Sequence, residues 1–484
     1  MDISTLPNVN SPELDYNASI NNHSSVIYRA LTPQGSSSIT LGTTSGVVGP
    51  VEFILPSCVQ NWAKSRLTFQ IDCGATVSGG TGTTNLRRWF NANIGTMLNR
   101  VVVYDSATSA VIADVSNFDK YSSMIPTTSE NIQHYLGKQL PSSATALLPW
   151  TGNGSTAIAT ALANSLSYPQ ENICRSNLLA TANFSGVTTN VVNGNDYTGR
   201  RMWFISPAQT NDGDAVYLSV STTFEDLFRF TALSLDKNVY LPSNCVLQLY
   251  FNPNDSFQFA CASAVDATTP VSIAVGATVS NLKVQLATEA NISIIAQTID
   301  LVMQRGLTLP VFYPTVIRNT FSTTTAPSFQ IQLTSGYSKR IVFLATSPFN
   351  LSGTGINLNN VHNAPRASLT QYQSTLNSVA IKTPAGFDCT RGEDWSIGNS
   401  VYFAKTPLQN LDQYIKSDWV HIDSFFGEKS LADLDMTMVD GISVAEQSQT
   451  YGFQATTAST AQTWITVIVG QKMLSFTKMG AVIV

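Results

Sequence analysis

Polar and apolar residues alternate along much of this chain, and the repeat is two. Residues 66–73 carry the plainest case, with Leu67, Phe69, Ile71 and Cys73 separated by Thr68, Gln70 and Asp72. A strand sends successive side chains to opposite faces, so such a run buries one face and wets the other. The alternation returns at Val216, Leu218 and Val220, at residues 282–286, at residues 328–334, and at Leu434, Met436 and Met438. Residues 51–55 open the structured part. Two runs are denser: Ile341 to Leu344 are all apolar, and residues 464–469 are apolar apart from Thr466. These predict strands covered on both faces. The dominant period predicts an all-β chain of sandwiches.

Helical spacing occurs in two places. Thr406 and Pro407 form an N-cap and first-turn pair, followed by Leu408, Leu411 and Ile415. Residues 116–125 put Phe118, Tyr121 and Ile125 on one face, with Asp119 in the first turn. Both predict short helices that act as struts inside long inter-strand loops. Residues 104–200 hold only short β-like pieces between polar stretches such as 152–156, and compact domains keep loops of that length when they serve a function. Residues 1–45 contain Pro7, Pro12 and Pro33 and only isolated apolar anchors: Leu6, Leu14, Tyr16, Ile27, Tyr28 and Leu31. So few anchors do not offset the ordering cost of about 1–2 kcal/mol per residue, and an extended N-terminal arm without its own core is expected.

Composition sharpens this picture. The chain has 484 residues, 43 % of them hydrophobic, but only 12 % charged, about half the usual share. Its wet surface must therefore consist of Ser, Thr, Asn and Gln. Neutral polar residues suit β surfaces, and they suit contacts between copies because few charges need desolvating. Net charge is −5, and the densest basic clusters are the pairs Arg87-Arg88, Arg200-Arg201 and Lys339-Arg340. Phosphate neutralisation needs a basic patch, so direct, sequence-specific nucleic-acid binding is not expected. The N-terminus carries neither a basic nor an apolar leader, which predicts synthesis in a cytosol-like compartment without secretion. Cys58, Cys73, Cys174, Cys245, Cys261 and Cys389 lack paired spacing and are expected as free, buried thiols.

A search for chemistry leaves the catalytic, cofactor and metal sites empty. His23, His134, His362 and His421 form no zinc pattern, and no nucleophile elbow or phosphate loop occurs. Glu393-Asp394, beside Arg391, is read as a solvated loop, and Asp212 and Asp214, around Gly213, as a turn. The aromatic pairs Trp89-Phe90 and Trp203-Phe204, with Trp395 and Trp419, adjoin apolar runs and are assigned to packing or subunit burial rather than sugar binding.

With the strands laid out, their order resembles the double jelly-roll major capsid proteins, the lineage of adenovirus hexon, virophages and Polinton-like viruses. The likeness is carried by residues 51–56 and 65–73, by 99–104 leading into 112–121, by 233–251 with Leu241-Pro242 before 245–250, and by a restart over 321–345 continued at 368–381. It implies two tandem jelly-roll sandwiches with long inter-strand loops and a few short helices: an arm over residues 1–45, a first roll over 46–310 and a second over 311–484. It further implies a non-enzymatic shell protein of an icosahedral DNA virus, located in the virion. Such a protein assembles as pseudo-hexameric homotrimers and meets neighbouring capsomers, penton and minor capsid proteins. The competing expectations are an all-β receptor-binding or adhesin protein and a β-sandwich carbohydrate-active enzyme. The latter would need a cleft with paired carboxylates.

Overall fold

A computed structural model describes residues 24–41, 46–72, 86–90, 94–125, 202–203, 217–252, 260–263, 271–272, 277–349, 369–381, 387–388, 421–425, 441–457 and 462–483. The expected helix at 406–415 and the alternation at 434–438 lie outside these residues.

Up to residue 289 the strands are β1 (Val26–Leu31), β2 (Ile39–Leu41), β3 (Val48–Leu55), β4 (Val59–Asp72), β5 (Leu86–Phe90), β6 (Leu98–Asp105), β7 (Val111–Ser116), β8 (Met202–Trp203), β9 (Tyr217–Thr223), β10 (Val239–Tyr240), β11 (Cys245–Phe251), β12 (Ala260–Ser263), β13 (Val271–Ser272) and β14 (Ala277–Glu289). From residue 307 they are β15 (Leu307–Phe321), β16 (Ser328–Leu333), β17 (Arg340–Phe349), β18 (Leu369–Leu376), β19 (Val379–Ala380), β20 (Phe387–Asp388), β21 (His421–Ser424), β22 (Ile442–Ser443), β23 (Gln449–Thr457), β24 (Gln462–Thr477) and β25 (Gly480–Ile483). Helices α1 (Phe118–Met124), α2 (Phe224–Leu227) and α3 (Ile292–Arg305) complete the elements used below.

The pairing is antiparallel and builds the same motif twice. In the first half, β1-β14-β4-β9 form one sheet and β3-β11-β6-β7 the other. In the second half, β15-β24-β17-β21 face β16-β23-β18-β20. Numbered by order of appearance within each half, both sandwiches read 1-8-3-6 against 2-7-4-5. That order is the jelly roll, in which the first and last strands of the roll lie side by side. The fold is therefore a double jelly roll. A further small sheet, β13-β12-β5-β8, is built from segments inserted between strands of the first roll.

The alternation seen in the sequence fixes which side of each strand is buried. Leu67, Phe69 and Ile71 of β4 lie inside the first roll, whereas Phe329, Ile331 and Leu333 of β16 lie in a separate cluster inside the second. The polar residues between the latter, Ser328, Gln330 and Gln332, are exposed. Phe118 and Tyr121 of α1 and the following Ile125 are fully buried, as their helical spacing predicts.

One part of the expected arm belongs to the first roll. Strand β1 pairs with β14 over its whole length, from Val26 opposite Glu289 to Leu31 opposite Val284. It is the opening strand of the jelly roll, so residues 51–56 and 65–73 supply the second and third strands. Its side chains gave no warning, because it lies at a sheet edge and Ile27 and Tyr28 are more than half exposed. Glu289 pins this corner. Its carboxylate accepts from Ser24 Oγ (2.6 Å), from Asn238 Nδ2 (2.8 Å) and from the N–H groups of Ser25 (2.8 Å) and Asn291 (2.8 Å). Burial pushes the Glu289 carboxyl up, but these hydrogen bonds outweigh it and hold its pKa below the ordinary glutamate value.

The two rolls share a core. Strand β24 runs through the middle of the β15-β24-β17-β21 sheet with its alternate residues on opposite sides. Trp464 and Ile468 enter the second roll's own interior. Ile465, Val467 and Val469 join the apolar cluster that fills the first roll. All five are fully buried, which explains the unbroken apolar run. Phe230 of the first roll meets Phe312 (5.2 Å between centroids, edge-on) and Phe343 (5.5 Å, edge-on) of the second, and Trp62 meets Phe476 (6.4 Å). Phe230 is held at φ 56°, a conformation that costs an L-residue roughly 1–2 kcal/mol and is offset here by its complete packing. Phe230→Ala is expected to lower the unfolding free energy by about 3–5 kcal/mol, measured from the urea midpoint. A loss within about 0.5 kcal/mol, typical of surface sites, would contradict this packing.

Candidate functional site

Among the described residues, no group of three His, Cys, Asp or Glu side chains is placed to hold a metal ion. Asp212, Asp214, Glu393, Asp394, Trp395, Trp419, His23, His134, His362, Cys73, Cys174 and Cys389 lie outside the described residues. Cys58 and Cys245 are free thiols, the second fully enclosed. Trp89 and Trp203 come together as register partners on β5 and β8 of the inserted sheet. Cys261 pairs with Arg88 in the same sheet. A shallow cleft of about 250 Å³ lies on the second roll between residues 326–328, 371–373 and 454–456. Among the described residues it is lined by Gln371, Gln373, Gln454 and their neighbours.

Titratable groups do meet inside the second roll. Asp423 on β21 accepts from Tyr451 Oη (2.9 Å) and Ser374 Oγ (3.1 Å), which project from β23 and β18 of the opposite sheet. Thr346 and Thr466 hydroxyls lie 3.2 Å apart beside them. Sequence patterning missed this group, since a polar residue on the buried side of a strand reads as a lapse in alternation. Burial, and then the Asp423 charge, push the Tyr451 phenol well above its ordinary pKa. Asp423 and Tyr451 are both shut off from solvent. The cluster ties one sheet of the sandwich to the other. Removing the phenol oxygen leaves a buried carboxylate with one fewer donor: Tyr451→Phe is expected to cost about 1.5–3 kcal/mol in urea unfolding. An unchanged midpoint would show that the tie does not form.

The surfaces with an unusual chemistry are the two outward sheet faces. On the second roll, β16, β23 and β18 present Ser328, Gln330, Gln332, Thr450, Gln454, Gln371, Gln373 and Thr375, opposite to buried Phe329, Ile331, Tyr451, Phe453 and Tyr372. The set itself carries no charge, and Asp388 of β20 lies beside it as the register partner of Gln371. Its amides and hydroxyls pair with each other, as in Gln454 Nε2 to Gln373 Oε1 (2.6 Å) and Gln332 Nε2 to Thr450 Oγ1 (2.9 Å). On the first roll, Ile54, Val246, Tyr104 and Val111 form one apolar row across β3, β11, β6 and β7. Ile54 and Val111 at its two ends are 38 % and 45 % exposed. The charged side chains beside that row have partners on the same face: Arg100 makes a two-pronged pair with Asp114 (2.8 and 2.6 Å), and the Glu52 carboxylate accepts from the neutral Gln248 Nε2 (2.6 Å).

No protein-family model matches the chain, and no curated protein matches its sequence; its fold, however, is that of solved viral structures. A chain of the Sputnik virophage, determined by cryo-EM at 3.5 Å, aligns with a TM-score of 0.50 and 12 % identity, over 98 % of this chain and 92 % of that one. The crystal structure of the mavirus major capsid protein aligns with a TM-score of 0.45 and 10 % identity, over 100 % and 96 %. The PBCV-1 virus capsid model gives 0.47 and 11 %, over 96 % and 97 %. At these identities the likeness is one of fold.

Proposed function

We propose that this chain is the major capsid protein of an icosahedral DNA virus and that assembly is its activity. The observation that carries the reading is the repeated 1-8-3-6 and 2-7-4-5 strand order over the whole length, the architecture shared with the Sputnik virophage chain. Two similar lobes joined through one core make a rigid bilobed block. Three copies around an axis then place six similar lobes in a ring, a tile for hexagonal positions of a shell. The outward faces supply contact chemistry: neutral amides and hydroxyls on one roll, an apolar row with pre-paired charges on the other. The partners proposed are other copies of the chain, neighbouring capsomers, and penton and minor capsid proteins. The location proposed is the virion.

Light scattering on purified protein is expected to give about three copies per particle, little changed by moderate salt because charged contacts are few. A stable monomer at micromolar concentration would refute the trimer and favour the adhesin or enzyme alternatives. Residues 1–23 are proposed to act between subunits, because the roll's own first strand begins only at Val26. Deleting them is expected to leave trimers intact and to impair shells viewed by electron microscopy. Normal shells from the shortened chain would remove that role. The cut must stop there: deleting residues 1–40 also strips β1 from the first sheet.

A further inference from the structure

Asp105, at the end of β6 in the first roll, is fully buried. Its Oδ1 accepts from the N–H groups of Ala107 (2.9 Å) and Thr108 (2.7 Å). Its Oδ2 accepts from Ser243 Oγ and, across the boundary between the rolls, from the N–H of Ala481 in β25 (3.1 Å). Thr108 Oγ1 lies within reach of Asp105 Oδ1 (3.0 Å) and of Ala481 O (3.2 Å) and can donate to one of them at a time. One carboxylate thus gathers a turn of the first roll, the Ser243 corner and the last strand of the second. The hairpin that carries β25 is shaped to meet it. Gly480 sits at φ +133°, and a Cβ there would stand 2.8 Å from Asp105 Oδ1 and 2.9 Å from Thr108 Cγ2. Only glycine permits both that conformation and that approach.

We propose that Asp105 and the Gly480–Ile483 strand form a clasp that locks the end of the second roll onto the first and opens when the carboxylate is protonated. The apolar seam holds the rolls together over a broad area, but apolar contact is non-directional. The clasp is directional, because each donor must meet a particular lone pair. Protonation replaces one acceptor site with an O–H among groups that are already donors. The N–H of Ala481 then loses its partner while buried, which favours release of the strand.

The surroundings leave Asp105 as the group that responds to acid. Cys245 on β11 is the titratable side chain that faces it, and burial pushes that thiol up, so it stays protonated throughout the acid range. The β7 turn contributes Thr108, and the hairpin contributes Gly480 and Ala481, with Lys478 out in the exposed turn. Burial raises the Asp105 carboxyl, but the hydrogen bonds from Ser243, Thr108 and Ala481 outweigh it, and its pKa lies below the ordinary aspartate value. A carboxylate depressed in this way stabilises fully above its unfolded pKa of about 4 and loses that contribution as pH falls through the folded value. The clasp is therefore closed at neutral pH and opens below about pH 4. This inference concerns the isolated chain and holds whatever the chain assembles into.

Hydrogen exchange tests it from both sides of the seam. Asp105→Asn removes the carboxylate, and Gly480→Ala pushes the hairpin off it. In each variant, exchange at the amides of residues 481–483 should rise by about tenfold or more, while amides of β4 and of residues 463–470 in β24, which pair with β15 and β17 and not with β25, keep their protection. The double variant should add nothing further, because both changes break one clasp. Protected 481–483 amides in Asp105→Asn, or fully additive effects, would overturn the proposal. Should either variant fail to fold, the native chain decides. Its 481–483 amides, corrected for intrinsic rates, should lose protection below about pH 4 before the β24 amides of residues 463–470 do. Simultaneous loss in both places would overturn it equally. Glu289 titrates in the same direction, so the result is read at these amides and not from global stability.

Discussion

The structure depends on one sheet being covered twice. The β15-β24-β17-β21 sheet closes the second jelly roll with one face and completes the apolar cluster of the first with the other. Burial of apolar area acts wherever surface leaves water, and here a single strand, β24, removes both of its sides from water at once. Over residues 463–470 neither side is open to water, and the polar side chains there, Thr463 and Thr466, are buried beside the hydroxyls of Thr320 and Thr346. Side chains as large as Trp464, Phe343 and Phe476 are consequently fully enclosed. A bilobed molecule with a wet joint would flex. This one has a joint packed like an interior, and Phe230, Phe312 and Phe343 interlock edge-on across it.

That constraint also explains the chemistry of the remaining surface. Charged residues are few, and several have fixed partners. Arg100 is tied to Asp114, Glu52 to Gln248, and Lys472 lies over the ring of Tyr313. Buried carboxylates serve as ties: Asp423 across the second sandwich, Glu289 at the corner where β1, β14 and α3 meet, and Asp105 between the rolls. The outward side of β16 is amide and hydroxyl, and the outer face of the first roll carries a short apolar row beside Glu52, Arg100 and Asp114.

How much of this could be read beforehand follows from what the sequence encodes locally. Strands with one wet face announced themselves, as at Leu67, Phe69 and Ile71, and at Phe329, Ile331 and Leu333. The strand covered on both faces was legible too, since its apolar run lacks a polar side. Strand β1 was not, because an edge strand contributes backbone pairing and little side-chain burial. Helix α3 escaped notice even though Asn291 caps its start, with Oδ1 accepting from Ser293 N–H (3.0 Å), and Gly306 ends it. Its Ile- and Thr-rich run has β character, which masked the helical spacing of Ile292, Ile295, Ile299 and Val302. The ties were beyond reach for a different reason. Asp105 and Ala481 are 376 residues apart, and only the folded seam brings them together.

Calorimetry of the full chain tests the shared core most directly. If the two rolls are one packed unit, heating should give a single transition whose calorimetric and van't Hoff enthalpies agree, because neither roll keeps a complete core once the other unfolds. Two resolved transitions, or a calorimetric enthalpy near twice the van't Hoff value, would show that each roll melts by itself and that the doubly covered sheet does not bind them.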